Sequence, residues 1–311
     1  MNRTSLLLLS AALVGAIGCR KRDDSTTVKI DGSSTVYPIT QAVAVQFRKR
    51  NPKVSLEIGV SGTGGGFKKF LAGETDIHDA SRPIKPSEID EARKQNIEYI
   101  ELTVAIDGLS VVVSRENDWC DALTVAQLKA LWEPNSKVRK WSDLNPEWPA
   151  KTIKLYGPDT ASGTFEYFTG VICGKKGASR SDYDRSADDN VLVTGVAGDK
   201  YALGYFGYSY YVENRDKLKA LGIAKGDDVA AAVKPNETTI ETGRYAPLSR
   251  PLFLYVNTKS LTRPEVAEFL RFYLAGGQEY VKRAKYIPLR KELYEQSRKT
   301  LEDAIRKARA E

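Results

Sequence analysis

The sequence predicts an α/β protein of two lobes joined by two crossings, and three observations carry that prediction. The 311 residues are enough for two domains, each with its own core. A strand pattern, a turn rich in hydroxyls and glycine, and a helical pattern follow one another three times, at 28–47, 55–72 and 153–171. Two runs far apart in the chain, 103–114 and 245–257, are too apolar for surface strands and resemble each other, as two crossings between lobes would. The expected division is 28–112 with 247–311 as one domain and 113–246 as the other.

Composition narrows the function classes. Hydrophobic residues at 41% and charged residues at 28% fit a folded globular chain and argue against both disorder and a membrane-spanning bundle. The formal charge is +7, but Lys and Arg are interspersed with Asp and Glu, which does not suit a nucleic-acid stripe.

Residues 1–19 read as a secretion signal, with Arg3 as the charged start and Leu6 to Leu9 opening an apolar core too short to span a bilayer. The segment ends in Ala16-Ile17-Gly18-Cys19, which resembles the lipobox of bacterial lipoproteins, so Cys19 is the expected lipidation site; a plainly cleaved signal is the alternative. Residues 20–27 then form a polar tether. Cys120 and Cys173 remain, and in an oxidising compartment they can pair; their spacing leaves that open.

The first unit runs from a strand at 28–30 through Gly32-Ser33-Ser34-Thr35 into a helix with Pro38 in its first turn and Ile39, Ala42, Val43 and Phe47 at helical spacing. The second strand, 54–60, leads into Ser61-Gly62-Thr63-Gly64-Gly65-Gly66 and a short helix at 67–72. No Lys-Ser/Thr pair follows these glycines, so a nucleotide loop is a poor reading. Next, Ser81 and Arg82 put a hydroxyl beside a guanidinium fork, a pairing that suits an oxyanion; an ordinary surface arginine in a loop ended by Pro83 is the equal alternative. The helix beginning at Pro86 has a thin apolar face and should lie exposed. In the first apolar run, Asp107-Gly108 interrupts the strand pattern. A carboxylate there needs a partner or a task, so Asp107 is either a ligand group or a structural cap.

Residues 119–148 change in character: Leu123, Leu128, Leu131 and Trp132 suggest a helix, and the tryptophans suit a second core. The third unit ends its strand at Gly157-Pro158-Asp159, and Ser162-Gly163-Thr164 then opens a helix containing Phe165, Tyr167, Phe168 and Val171. The first turn of a helix has N–H groups without partners and partial positive charge, and glycine lets an anion approach the backbone. Ser162 or Thr164 can equally cap its own helix. Arg180, between Ser179 and Ser181, is an anion partner or an ordinary surface charge. A glycine-aromatic strand follows at 201–208. Later, Pro264 opens a helix that Gly276-Gly277 is expected to end, with a short helix at 278–284 and an amphipathic one at 291–310.

Taken together, DGSSTVYP, GVSGTGGGFKKFLAGETDI, ASRPI, AIDGLSVVV, GPDTASGTFEYFT and SRSDY followed by ALGYFGYSYY resemble the phosphate-binding subunits of bacterial phosphate ABC transporters, which are type II periplasmic binding proteins. The resemblance implies a two-lobed receptor in the periplasm or cell envelope, monomeric, held to the membrane by lipid and serving an inner-membrane ABC permease, with no cofactor. Its phosphate ligands would be Ser34, Thr35, Thr63, Ser162, Gly163 and Thr164, to which the Ser81-Arg82 pair read above is added. Many members carry an arginine where this chain has Pro158, and Arg180 is the expected replacement. Some carry an aspartate at the position of Ser81, so Asp107 becomes the expected acceptor for the phosphate proton. Sulfate, molybdate, tungstate or arsenate on the same fold is one alternative. A secreted phosphatase is another, poorly supported by a chain with one histidine, His78, no metal-ligand spacing and no complete nucleophile elbow.

Overall fold

The computed structural model describes residues 26–160, 162–186 and 188–310. The signal sequence, residues 20–25 of the tether and the expected lipidation site Cys19 lie outside them. The first strands and helices alternate: β1 (Thr27–Gly32), α1 (Tyr37–Arg50), β2 (Ser55–Ile58), α2 (Gly62–Leu71), β3 (Ile77–Ala80), α3 (Pro86–Lys94) and the long β4 (Tyr99–Ser114). There follow β5 (Ala122–Thr124), α4 (Val125–Trp132), β6 (Lys154–Pro158), α5 (Gly163–Ile172), β7 (Asp184–Ser186), α6 (Asp189–Ala197), β8 (Ala202–Gly207) and α7 (Tyr208–Glu213). Then come β9 (Leu218–Ala220), β10 (Gly222–Ala224), α8 (Glu237–Glu241), β11 (Ser249–Asn257), α9 (Pro264–Arg283) and α10 (Lys291–Ala310).

One nine-stranded sheet carries both halves in the order β2-β1-β3-β11-β4-β8-β6-β7, with β9 also on β4. β4 joins them. Its first part, through Gly108, pairs antiparallel with β11, and its last residues, from Leu109, pair with β8. Alternation sorts the side chains onto two faces. On β11, Leu252, Leu254 and Val256 join Ile39, Phe47, Phe269 and Leu301 beneath α1, α9 and α10, while Phe253 and Tyr255 face Phe67 and Phe70 of α2. On β4, Val111 and Val113 meet Trp132 and Phe168 from α4 and α5, and Val112 meets Leu192 and Val196 from α6. Each half is therefore a sheet with helices on both faces, the α/β architecture the sequence predicts.

Three local expectations are corrected. β4 is not interrupted at Asp107-Gly108: Arg250 stands opposite Asp107 and pairs with it, and Gly108 lets the Ile240 side chain approach, since a Cβ there would lie 3.0 Å from Ile240 Cδ1. Gly276-Gly277 does not end its helix, because α9 runs on to Arg283. Gly277 instead makes room for α10, where a Cβ would meet the Tyr294 ring at 3.0 Å. The glycines after Thr63 belong to α2 rather than to a turn before it, and at Gly66 a Cβ would sit 2.4 Å from His78 Nδ1, so its absence seats the helix on β3. Cys120 and Cys173 are both free thiols. Burial pushes the Cys120 thiol up to about 12.

Candidate functional site

The three predicted turns meet at one place. After β1, Ser33 fixes the first: its N–H donates to Asp79 O at 2.8 Å, its Oγ accepts from Thr35 N at 3.2 Å, and its carbonyl accepts from Val36 and Tyr37. Ser34 is left exposed at the tip and Thr35 is turned inward. In the second turn, Thr63 lies in the first turn of α2 and is tied to the end of β3: Ser81 N donates to Thr63 Oγ1 at 3.2 Å, and the two hydroxyls are 3.0 Å apart. The third comes from the other half. Ser162 caps α5 by accepting from Thr164 N at 3.1 Å, and Gly163 presses against the first turn, where an added Cβ would sit 2.8 Å from Thr35 Oγ1 and 3.4 Å from Ser34 Oγ.

Arg250, which sequence reasoning missed, connects these parts. Its Nη2 donates to Thr35 Oγ1 at 3.0 Å, its Nη1 to Ser81 O at 3.3 Å, and its Nε to Asp107 Oδ2 at 3.1 Å. The ring of Tyr167, from α5, covers the guanidinium with 3.8 Å between Cζ and the ring centroid. Asp107 is 3% exposed; burial pushes its carboxyl up, and the charge and hydrogen bond of Arg250 pull it back. The signal for Arg250 was present as a lone cation in the apolar run 245–257, matched by a lone acid in the run 103–114, and such buried charges require each other.

The other two arginines expected here are engaged elsewhere. Arg82 forks onto Glu88, Nη1 to Oε2 and Nη2 to Oε1 both at 2.8 Å, with its Cζ 5.0 Å from the centre of the Phe67 ring. Arg180 is 6% exposed and bound on every side: Nε and Nη2 donate to Asp182 at 2.7 and 2.8 Å, and Nη1 to Leu131 O and Val138 O at 2.9 and 3.0 Å. It ties the end of α4 to the loop before β7, and its hydrogen bonds hold the Asp182 carboxyl down at about 2. His78 is buried under Phe67, with Nδ1 3.0 Å from Asp31 O, and burial pushes its pKa down to about 4.

Among the described residues, no group of three or more His, Cys, Asp and Glu side chains is arranged to hold a metal ion, and no helix is long and apolar enough to cross a membrane. The site is thus a cluster of hydroxyls and helix N-termini from both halves around one guanidinium. Chemically it is suited to hold a small oxyanion, through neutral donors, oriented peptide dipoles and a single fixed cation.

Comparison with known proteins agrees with this geometry. Residues 21–276 match the model of the PBP superfamily domain. The crystal structure of a possible phosphate binding protein from Planctomyces limnophilus superposes with a TM-score of 0.85 at 50% identity, covering 89% of this chain and 98% of that one. SphX of a Synechocystis species is 44% identical over 92% of this chain and 85% of its own length. The phosphate-binding protein PstS of Staphylococcus saprophyticus is 39% identical over 96% of this chain and 92% of its own. With these matches spanning nearly all of its length, the chain belongs to the PBP superfamily, in the family that holds SphX and PstS.

Proposed function

We propose that this protein is the receptor of a phosphate import system, binding inorganic phosphate between two lobes outside the inner membrane and delivering it to an ABC permease. The observation that carries the reading is the Arg250 fork, which joins Thr35, Ser81 and Asp107 directly opposite the α5 N-terminus at Gly163. The names of its relatives point the same way.

In this reading Ser34, Thr35, Thr63, Ser81, Ser162 and Thr164 supply hydroxyls, the backbone at Gly163 and the starts of α1 and α2 supply N–H groups, and Arg250 supplies the cation. Arg82 and Arg180 serve as scaffold. Asp107 gives the selectivity. Phosphate near neutral pH keeps a proton to donate to a carboxylate, whereas sulfate has none and meets the carboxylate as a like charge. Residues 28–112 with 247–311, and residues 113–246, act as the closing lobes, and closure excludes water from the anion. The protein binds without turnover, works as a monomer, and is retained at the membrane through lipid on Cys19.

Calorimetric titration tests the reading. Protein stripped of anion in denaturant and refolded is expected to bind one phosphate per chain with release of heat. A refolded, monodisperse sample that gives no heat with phosphate and does bind sulfate would assign the site to another tetrahedral anion.

A further inference from the structure

Tyr167 has no place in the donor set above, yet it touches the one cation of the site. It sits on α5 four residues after Gly163, so the two share a helix face. Gly163 meets Thr35, and Tyr167 lays its ring on the Arg250 guanidinium with Cζ 3.8 Å from the centroid. Its hydroxyl donates to Pro247 O at 2.5 Å, three residues before Arg250 on the segment that enters β11. The hydrogen bonds of Arg250 to Asp107, Ser81 and Thr35 fix the guanidinium along its edges. The ring bears on its flat face, which those in-plane bonds leave uncovered, and adds a support from α5 to a plane otherwise held from the first half alone. A planar fork binds an oxyanion through two N–H groups only when its plane is aimed correctly.

We infer that Tyr167 is a positioning residue for anion binding: its ring sets the plane of the Arg250 fork, and because the ring and Gly163 ride on one helix, the fork is aimed only when α5 is docked on the first half. The inference rests on the receptor reading and names a specific device within it. It makes arginine, rather than lysine, the fitting cation at this position, since an ammonium has no plane to aim. It also makes the ring, rather than the phenolic hydroxyl, the functional part of Tyr167.

The test is a double-mutant cycle read by calorimetric titration with inorganic phosphate, using wild type, Y167L, Y167F, R250K and Y167L/R250K. Y167L is expected to weaken binding about 3- to 30-fold, the range spanned by exposed to desolvated cation–π contacts. Y167F, which keeps the ring, should stay within about 2-fold of wild type, and Y167L added to R250K should cost less than about 2-fold. If the Y167L variant does not fold, Y167M fills more of the space and takes its place in the cycle. Equal losses from Y167L in the wild-type and R250K backgrounds, or a Y167F loss as large as that of Y167L, would overturn the inference and leave the receptor reading intact. A folded wild type that binds no phosphate overturns both.

Discussion

Arg250 and Asp107 stand directly opposite each other in the antiparallel ladder of β11 and β4, with Arg250 Nε and Nη2 each 3.1 Å from the same carboxylate oxygen. Their side chains are 14% and 5% exposed, so each is the reason the other can be charged inside the protein. The pair also reaches outward, since Nη2 and Nη1 of Arg250 each donate once more, to Thr35 Oγ1 and Ser81 O. A core ion pair and the proposed anion site are thus one piece of structure.

Removing the cation should therefore damage two properties together. Arg250→Gln strands Asp107 and is expected to lower stability by about 3–5 kcal/mol, the usual cost of breaking a buried pair from one side. Phosphate affinity should fall at least about 100-fold, as for loss of a desolvated charge contact of ~3 kcal/mol. Asp107→Asn keeps an oxygen acceptor for Arg250 and is expected to fold, but to lose its preference for phosphate. Competition calorimetry with sulfate checks this, and a preference unchanged in the D107N variant would remove Asp107 from selectivity.

Gly163→Ala probes the contact between the halves. The added methyl would lie 2.8 Å from Thr35 Oγ1, an atom held in place by Arg250, so the neighbour has little freedom to move away. The variant should still fold, because α5 accepts alanine readily. Its phosphate affinity should fall about 10-fold or more, as expected for a clash of about 1–3 kcal/mol between α5 and the first turn. Small-angle scattering should then show a more extended molecule in phosphate than wild type.

Arg82→Ala gives the opposite pattern. Arg82 and Glu88 form a two-pronged pair whose side chains are 29% and 17% exposed, and Glu88 also accepts from Lys85 N at the start of α3. Loss of the pair is expected to cost about 0.5–1.5 kcal/mol by urea unfolding. Phosphate binding should change by less than about 2-fold, a shift under ~0.4 kcal/mol. A loss of affinity beyond about 10-fold, or ~1.4 kcal/mol, would return Arg82 to the anion.

Two adjacent residues of β3 set opposing pH dependences. Burial pushes Asp79 up to about 7 from 3.8; its Oδ2 accepts from Thr40 at 2.8 Å and its Oδ1 is buried without a partner. Tyr273 closes the same pocket through Thr40, and Asp31 adds like charge. The folded state therefore binds more protons at Asp79 than the unfolded chain does, and this contribution declines as pH rises from about 4 to 7. His78, pushed down from 6.5 to about 4, acts in reverse, and its contribution is lost as pH falls through that window. Asp79→Asn should gain on wild type steadily between pH 4 and 7 in urea midpoints, and the gain should level off above that. A difference that is flat across the window would mean Asp79 does not titrate there.

The sequence reveals the turns because their chemistry is local. Serine, threonine and glycine at the start of a helix have the same meaning wherever the fold places them, and 33–35, 61–63 and 162–164 all reach the site. Long-range pairing is different. A Ser-Arg pair in a loop looks the same whether the arginine meets an anion or an acid nearby, and Arg82 and Arg180 find Glu88 and Asp182 only 6 and 2 residues away. Arg250 finds Asp107 across 143 residues, a distance no motif spans. The glycines at 66 and 277 mislead for a related reason: they are small because another element packs on them, and that element cannot be read from the glycine's own neighbours.

β4 runs unbroken for 16 residues and changes partners near Gly108, from β11 to β8. A hydrogen-bonded ribbon shared by both halves does not swivel like a loose linker. It yields by twisting, and each degree of opening is resisted by the ladder on either side. In the proposed receptor, opening of the two lobes should depend on the stiffness of a few residues around 108 more than on the length of any loop.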